Sequence, residues 1–334
     1  MKKVFPFSAI IGQDDLKLAL ILNVIDPLIS GVLISGEKGT AKSTAIRALA
    51  NLLPKYKSKT CPCNCDPDEP SSWCSFCKDG KFDEIVLKQM SVVELPLGTT
   101  EDNLVGGLDI KKALQNGVKE YEAGILAFAN RNFLYVDEIN LLEDYLVNLL
   151  LDVCAMGVAT VERDSISFSH PSKFVLIGSM NPEEGDLRPQ LLDRFGLFVE
   201  VKSVKDEKIR LDILKKILAF DLDSDKFLKE NEENQNKLRQ KIINAKNILN
   251  KVTLSENLLS YIVKICANLS LDGHRGDIVL ARTAKAYAAF NGRIEVKKND
   301  IRKVAPFVLI HRQKRLPFEE EKEAKEKLLK ALEL

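Results

Sequence analysis

Nine consecutive residues, Gly36-Glu37-Lys38-Gly39-Thr40-Ala41-Lys42-Ser43-Thr44, have the types and order that handle a nucleoside triphosphate. In this pattern a glycine-bearing turn lets backbone N–H groups wrap a phosphate. The lysine reaches the outer phosphates, and the Ser or Thr after it holds Mg²⁺. Gly36, Gly39, Thr40, Ala41, Lys42, Ser43 and Thr44 are therefore the candidate contacts to ATP, with Ser43 on the metal. The pattern has glycine where this chain has Ala41. Alanine resists positive φ, so Ala41 is expected in the right-handed first turn of a helix. About a hundred residues on, Phe133-Leu134-Tyr135-Val136 runs into Asp137-Glu138. The two carboxylates suit a Mg²⁺ ligand (Asp137) and a group that polarises the attacking water (Glu138). Asn181 follows a further apolar run, Phe174–Met180, where its amide can meet the water or the γ-phosphate. Arg194, in Leu191-Leu192-Asp193-Arg194-Phe195-Gly196, suits a finger reaching a neighbour's nucleotide, with Arg188 as the fallback. The plainer reading of Arg194 is a surface ion pair with Asp193 or Asp186.

Strands and helices must carry these groups. Gly31–Ser35 reads as a buried strand feeding the loop, and Ala45–Leu53 as an apolar helix whose positive end adds to the phosphate site. Buried strands deliver Asp137, Glu138 and Asn181 to the carboxyl edge of a parallel sheet, where open α/β folds bind ligands. The fold class expected is α/β, a doubly wound parallel sheet over residues 1–204 followed by a helical domain over 205–334. Two hairpins interrupt it. One falls within about 106–124, around Gly106-Gly107 and Gly117. The other spans about 158–170, its strands flanking Arg163-Asp164. After Val204 helical periodicity covers Glu207–Phe220, Asn234–Lys251, Ser255–Leu269 and Arg275–Asn291. The charged stretch Lys226–Lys241 reads as a solvated helix face with a loop, and Phe318–Leu334 as a polar amphipathic helix.

Five of the seven cysteines fall within 61–77, as Cys61-Pro62-Cys63-Asn64-Cys65 and Cys74-Ser75-Phe76-Cys77. Such clustering points to metal or redox chemistry, and two thiolate pairs around a turn at 66–70 can close a tetrahedral Zn²⁺ site. A redox-responsive dithiol, an iron–sulfur site and plain free thiols stay open beside it. Cys154 and Cys266 lie in apolar helical patterns and read as buried packing residues.

The block from Tyr135 to Gly196, with VDEINLLEDYLVNLLLDV and NPEEGDLRPQLLDRFG, strongly resembles the ATPase (I) subunit of magnesium chelatase. So do ELPLGTTEDNLVGGLDIKKAL, from Glu94 to Leu114, and the opening FPFSAIIGQ; the likeness runs from Phe5 to about Leu316. The resemblance implies an AAA+ P-loop motor with a C-terminal helical lid. Its hairpins would be a helix-2 insert and a pre-sensor hairpin facing a ring's pore. It implies that Arg275, in Gly273-His274-Arg275-Gly276-Asp277, is a second sensor on the phosphate, with His274 a solvated neighbour. The likeness also covers NCDPDEP, and on it Cys61, Cys65, Cys74 and Cys77 are the four candidate ligands, leaving Cys63 over. The partners it implies are a homo-oligomeric ring, a hexamer by expectation, an AAA+/integrin-type D-like subunit and a large porphyrin-binding H-like or cobalt-chelatase-like subunit. Metal insertion would occur on the large subunit: this chain has three histidines and no porphyrin-sized aromatic pocket signal. Alternatives within the same machinery are a cobalt-chelation motor and a MoxR-like remodelling ATPase, and a further one is a nucleotide switch with little turnover.

Composition sets the outer limits. The chain has 334 residues, 45% of them apolar, enough for a real core. Lys and Arg number 49 against 48 Asp and Glu, a net +1, which argues against a nucleic-acid partner held by bulk charge. No run is long enough to span a bilayer, and Pro6 and the polar GQDD break any leader-like start. The expectation is a soluble, cytoplasmic protein.

Overall fold

The computed structural model describes residues 3–37, 39–108, 121–163, 166–313 and 321–333. In chain order, helix α1 (Asp14–Ile25) leads to strand β1 (Val32–Gly36), and α2 (Lys42–Leu52) follows the glycine-bearing loop. Strands β2 (Tyr56–Lys59) and β3 (Ile85–Lys88) flank the cysteine segment and its short helix α3 (Ser75–Lys78). Next come β4 (Val92–Leu95), α4 (Glu101–Val105), β5 (Gly106–Leu108), β6 (Tyr121–Ala123), α5 (Ile125–Ala129) and β7 (Phe133–Val136). Helix α6 (Asp144–Met156) precedes β8 (Val158–Arg163), β9 (Ile166–Pro171) and β10 (Val175–Met180). The short α7 (Pro189–Leu192) leads to β11 (Leu197–Val201). Helices α8 (Glu207–Leu222), α9 (Ser224–Ile248), α10 (Glu256–Asn268), α11 (Arg275–Phe290), α12 (Lys298–Leu309) and α13 (Glu321–Leu332) complete the described chain.

Two compact units divide these elements: residues 1–45 with 181–334, and residues 46–180. In the first, β1 pairs in parallel with β11, from Val32 opposite Leu197 to Gly36 opposite Val201. All five β1 residues are buried, as a strand covered on both faces requires. Two glycines permit the close backbone approach here. A Cβ on Gly36 would lie 2.3 Å from the Val201 carbonyl oxygen, and one on Gly196 would lie 1.7 Å from that of Ile29. The helical part of this unit packs around Ile262, Ile265, Leu280, Ile301, Val304, Val308 and Leu328.

In the second unit, β7 pairs in parallel with both β4 and β10. Every residue of β7 and β10 is buried. The α/β class with parallel strands is therefore what the fold has. Both expected hairpins are present at their roots: β5 with β6 and β8 with β9, each antiparallel. The tip of the first (109–120) and the connection 164–165 of the second lie outside the described residues.

Several expectations need correction. Helix α9 runs unbroken through 226–241, where a solvated helix face with a loop was expected. The Asp223 side chain caps its start by accepting from Lys226 N, Phe227, Ile242 and Ala245 bury one stripe, and no Gly or Pro interrupts it. Helix α12 had no counterpart in the sequence reading; it contains Pro306, and the burial of Ile301, Val304, Phe307, Val308 and Leu309 holds it in a helix. Cys266 is buried as expected, but Cys154 is half-exposed, beside the stripe of α6 that packs. The C-terminal helix, described over Glu321–Leu332, has the amphipathic character expected of it: Ala324, Leu328 and Ala331 are buried. Among the described residues no helix is long and apolar enough to cross a membrane.

Candidate nucleotide site

The phosphate-type loop leaves β1 at Gly36, turns through Gly39 at φ 81°, and enters α2 at Lys42. Nothing lies within 4 Å of a Cβ built on Gly39, so its glycine answers to backbone conformation rather than crowding. Ala41 departs from expectation. It sits at φ 61°, in the left-handed region, immediately before the helix. The turn that aims successive amides at one point needs that conformation, and alanine takes it at a cost of about 1–2 kcal/mol. Helix α2 thus presents its N-terminal amides at Lys42, Ser43 and Thr44 to the loop. The Lys42 ammonium donates to the Gly36 carbonyl at 2.6 Å, which turns it back along the loop, and Thr40 Oγ1 donates to Glu37 O at 2.9 Å. A curled loop, a helix N-terminus, a lysine over the loop and a hydroxyl at Ser43 fit a nucleoside triphosphate with Mg²⁺.

In the second unit the tip of β7 carries the carboxylates. Asp137 accepts from Tyr135 Oη at 2.8 Å and also from Ser179 Oγ. Tyr135 and Asp137 share a strand face because side chains alternate with period two. The register that sets Gly178 opposite Val136 brings Ser179 beside Asp137. Burial pushes the Tyr135 phenol up, so it remains a donor to the carboxylate. Ser179 Oγ also accepts from the Glu138 N–H at 3.2 Å, and Glu138 itself adopts φ 53°, ψ 49°. A left-handed glutamate at a strand tip is costly and re-aims its side chain off the strand's alternation. The sequence reading missed Tyr135 and Ser179 as positioning groups. Their signal was a lone phenol and a lone hydroxyl within otherwise apolar strands, each two residues before a chosen polar residue.

Asn181 is 7% exposed and opens a short turn, its Oδ1 accepting from Glu183 N at 3.4 Å. In the first unit, to which Asn181 also belongs, Arg275 at the start of α11 donates to Asp193 Oδ2 at 2.8 Å. Arg194 is half-exposed and Arg188 exposed. Asp193, a candidate partner for Arg194, pairs with Arg275 and with Arg312 Nε at 3.2 Å. Arg312 is the residue that the sequence reading overlooked altogether. Its guanidinium is buried and donates to Asp193 O at 2.9 Å, Phe195 O at 2.6 Å and Gly196 O at 3.1 Å, and also to Val308 O. His311 Nε2 lies 3.1 Å from Phe195 O. Burial lowers the Arg312 guanidinium to about 10, which leaves it charged at neutral pH. His274 is exposed, as expected.

The sulfurs of Cys61, Cys65, Cys74 and Cys77 all lie within 4.8 Å of one another, and all four residues are buried. Thiols of Cys61, Cys63 and Cys65 donating to Cys74 hold its sulfur far below the usual thiol range; the bond to Cys74 pushes Cys63 up, and bonds with Cys61 and then Cys74 push Cys65 up.

Comparison with known proteins adds to this geometry. The family model "Magnesium chelatase, subunit ChlI" matches residues 6–188, and an "AAA lid domain" model matches residues 259–331. The chain is 51% identical over 332 residues to a magnesium-chelatase subunit ChlI homolog of Methanocaldococcus jannaschii, covering 98% of this chain and 90% of the relative. It is 49% identical over 321 residues to magnesium-chelatase subunit ChlI of Synechocystis, covering 95% and 90%. Among solved structures, a chain from the complex between subunits BchI and BchD of magnesium chelatase is 44% identical, with a TM-score of 0.57 and coverage of 98% and 100%. A putative ATPase from Cytophaga hutchinsonii shares the fold alone, at 20% identity, a TM-score of 0.65 and coverage of 98% and 90%.

Proposed function

Because the chain belongs to the magnesium chelatase subunit ChlI family of AAA+ ATPases, we propose that it hydrolyses ATP to drive metal insertion into a tetrapyrrole held on a separate subunit. The observation that carries this reading is the loop from Gly36 to Thr44, with Lys42 turned along it and a helix N-terminus behind it. Bound ATP with Mg²⁺ supplies the phosphoanhydride whose hydrolysis does the work. The amides from Gly39 to Thr44 and the Lys42 ammonium would take up phosphate charge, and Ser43 and Asp137 would be the residues to hold the metal. The hydroxyls of Tyr135 and Ser179 orient the Asp137 carboxylate for that task. Glu138, its backbone fixed by Ser179, orients and deprotonates the attacking water. Asn181 and Arg275 sense the γ-phosphate, and Arg194 serves the nucleotide of the next protomer.

In this reading residues 1–204 form the nucleotide-binding domain and 205–334 the lid. The cytoplasmic assembly is a homo-oligomeric ring, hexameric as in other AAA+ motors. It works with a D-like AAA+/integrin-type subunit and an H-like porphyrin-binding subunit. The similarity to the BchI of a BchI–BchD complex supports the D-like partner. The clustered cysteines stand apart from the ATPase chemistry and are read as a structural zinc site, with Cys61, Cys65, Cys74 and Cys77 as ligands.

The test is reconstitution with the D-like and H-like subunits, following ATPase rate and ATP-dependent Mg²⁺ insertion into a porphyrin by fluorescence. Lys42→Ala is expected to abolish both. Robust ATPase without Mg²⁺ insertion by the wild-type assembly would sink the chelatase assignment.

A further inference from the structure

The cysteine segment does more than fold on itself. Four sulfurs within 4.8 Å of one another surround one point, which suits a single tetrahedral ion rather than a multi-iron cluster. With Zn–S near 2.3 Å, a tetrahedral site needs sulfurs about 3.8 Å apart, so a small contraction closes it. Two backbone amides already point at sulfur: Cys65 N to Cys61 Sγ at 3.4 Å, and Cys74 N to Cys65 Sγ at 3.3 Å. Such bonds offset thiolate charge. Asn64, at φ 47°, makes the tight turn between Cys61 and Cys65.

From this knot one side chain reaches outward. Phe76, between Cys74 and Cys77 on α3, packs its ring 5.1 Å from that of Phe168 and 6.3 Å from that of Tyr121. Phe168 belongs to β9 of one hairpin, and Tyr121 to β6 at the root of the other. Their two rings stack at 3.8 Å with 14° between planes. The Tyr121 hydroxyl donates to Val105 O, at the end of α4. A Cβ on Gly106 would meet that hydroxyl at 2.3 Å, so the glycine makes room for the anchor. On its other side the cysteine segment is tied to α5 and its exit. Asn130 Nδ2 donates to Cys63 O at 2.7 Å, Asn64 Nδ2 donates to Phe128 O at 3.1 Å, and Arg131 pairs with Asp66 at 2.9 Å.

We propose that Cys61, Cys65, Cys74 and Cys77 bind one Zn²⁺, and that this ion sets Phe76 as a rivet over the stacked roots of both hairpins. This rests on the zinc reading of the cysteines and assigns that zinc a task. Helix α3 is one turn long and cannot hold Phe76 in place by its own hydrogen bonds. A ligand at each of its ends, Cys74 and Cys77, can. Metal occupancy therefore controls how firmly the two hairpins are joined, and the loop at Gly36–Thr44 does not depend on it.

The experiment is metal analysis followed by hydrogen exchange on the full-length chain, purified anaerobically with reductant. One zinc per chain is expected; no zinc, or iron in its place, overturns the metal reading and the rivet with it. Stripping the zinc with a thiol-directed mercurial and a chelator, then removing the mercurial with reductant, should speed exchange in 61–77, 121–123 and 166–171 by at least roughly tenfold while 32–52 stays protected. An equal rise in 32–52, or none in the hairpin roots, overturns the rivet. Phe76→Ala separates the two claims: it should keep the zinc and loosen both roots. Zinc retained with the roots unchanged leaves the metal site standing and removes the rivet.

Discussion

Ala41 shows how a single residue can satisfy a motif while straining against it. Its position demands φ near 61°, which glycine adopts freely and alanine does not. Ala41→Gly is expected to relieve the left-handed penalty of about 1–2 kcal/mol, less the 0.4–1 kcal/mol or so by which glycine favours the unfolded chain. A net gain of roughly 0.5–1 kcal/mol should appear as a higher urea midpoint at unchanged slope. A lower midpoint would mean that the alanine methyl makes packing contacts worth more than the strain. Glu138 carries the same conformation at a strand tip, where the strain re-aims a carboxylate instead of an amide.

At the scale of elements, the segment between α7 and β11 depends on a clamp from the end of α12. Arg312 saturates the carbonyls of Asp193, Phe195 and Gly196, and its charge meets the Asp193 carboxylate. Those bonds flank Arg194 on both sides and so position its backbone. Removing one member of a buried charged network typically costs about 3–5 kcal/mol. Arg312→Leu should lower the stability of the chain by that order in chemical denaturation. Arg312→Lys should recover only part of it, because one ammonium cannot span carbonyls that a planar guanidinium reaches together. Full recovery by lysine would reduce the clamp to its charge. The clamp was not legible beforehand: its acceptors are backbone atoms 116 to 119 residues away in sequence.

At the scale of the whole molecule, the proposed ring shares each ATP site between protomers. Arg194 is half-exposed, on the segment that Arg312 clamps. Arg194→Ala should bind ATP normally and lose turnover by several orders of magnitude, about 10³–10⁵ where trans arginines have been removed from GTPase systems. Mixing it with Glu138→Gln protomers should restore part of the activity, since each supplies what the other lacks. Mixed rings no faster than either variant would place Arg194 outside the neighbour's site. The near-neutral chain, 49 basic against 48 acidic residues, leaves such assembly to specific contacts rather than bulk charge.

What the amino-acid sequence determined by itself was every feature whose signal is local. The Gly36–Thr44 pattern, the apolar strand ending at Asp137-Glu138, the hairpin roots and the helical periodicity beyond Val204 are written in neighbouring residues, and the parallel α/β ladders follow from them. Tertiary structure alone decided the backbone angle of Ala41, the hydroxyls that hold Asp137, the grip of Arg312 and the packing of Phe76 against both hairpins. It also overruled local signs, carrying α9 through a charged run and α12 through Pro306 because their buried stripes outweigh composition. The physical reason is common to all of them. Residue type and period describe what a segment can do alone, whereas strain, desolvation and hydrogen-bond partners exist only once distant backbone closes around it.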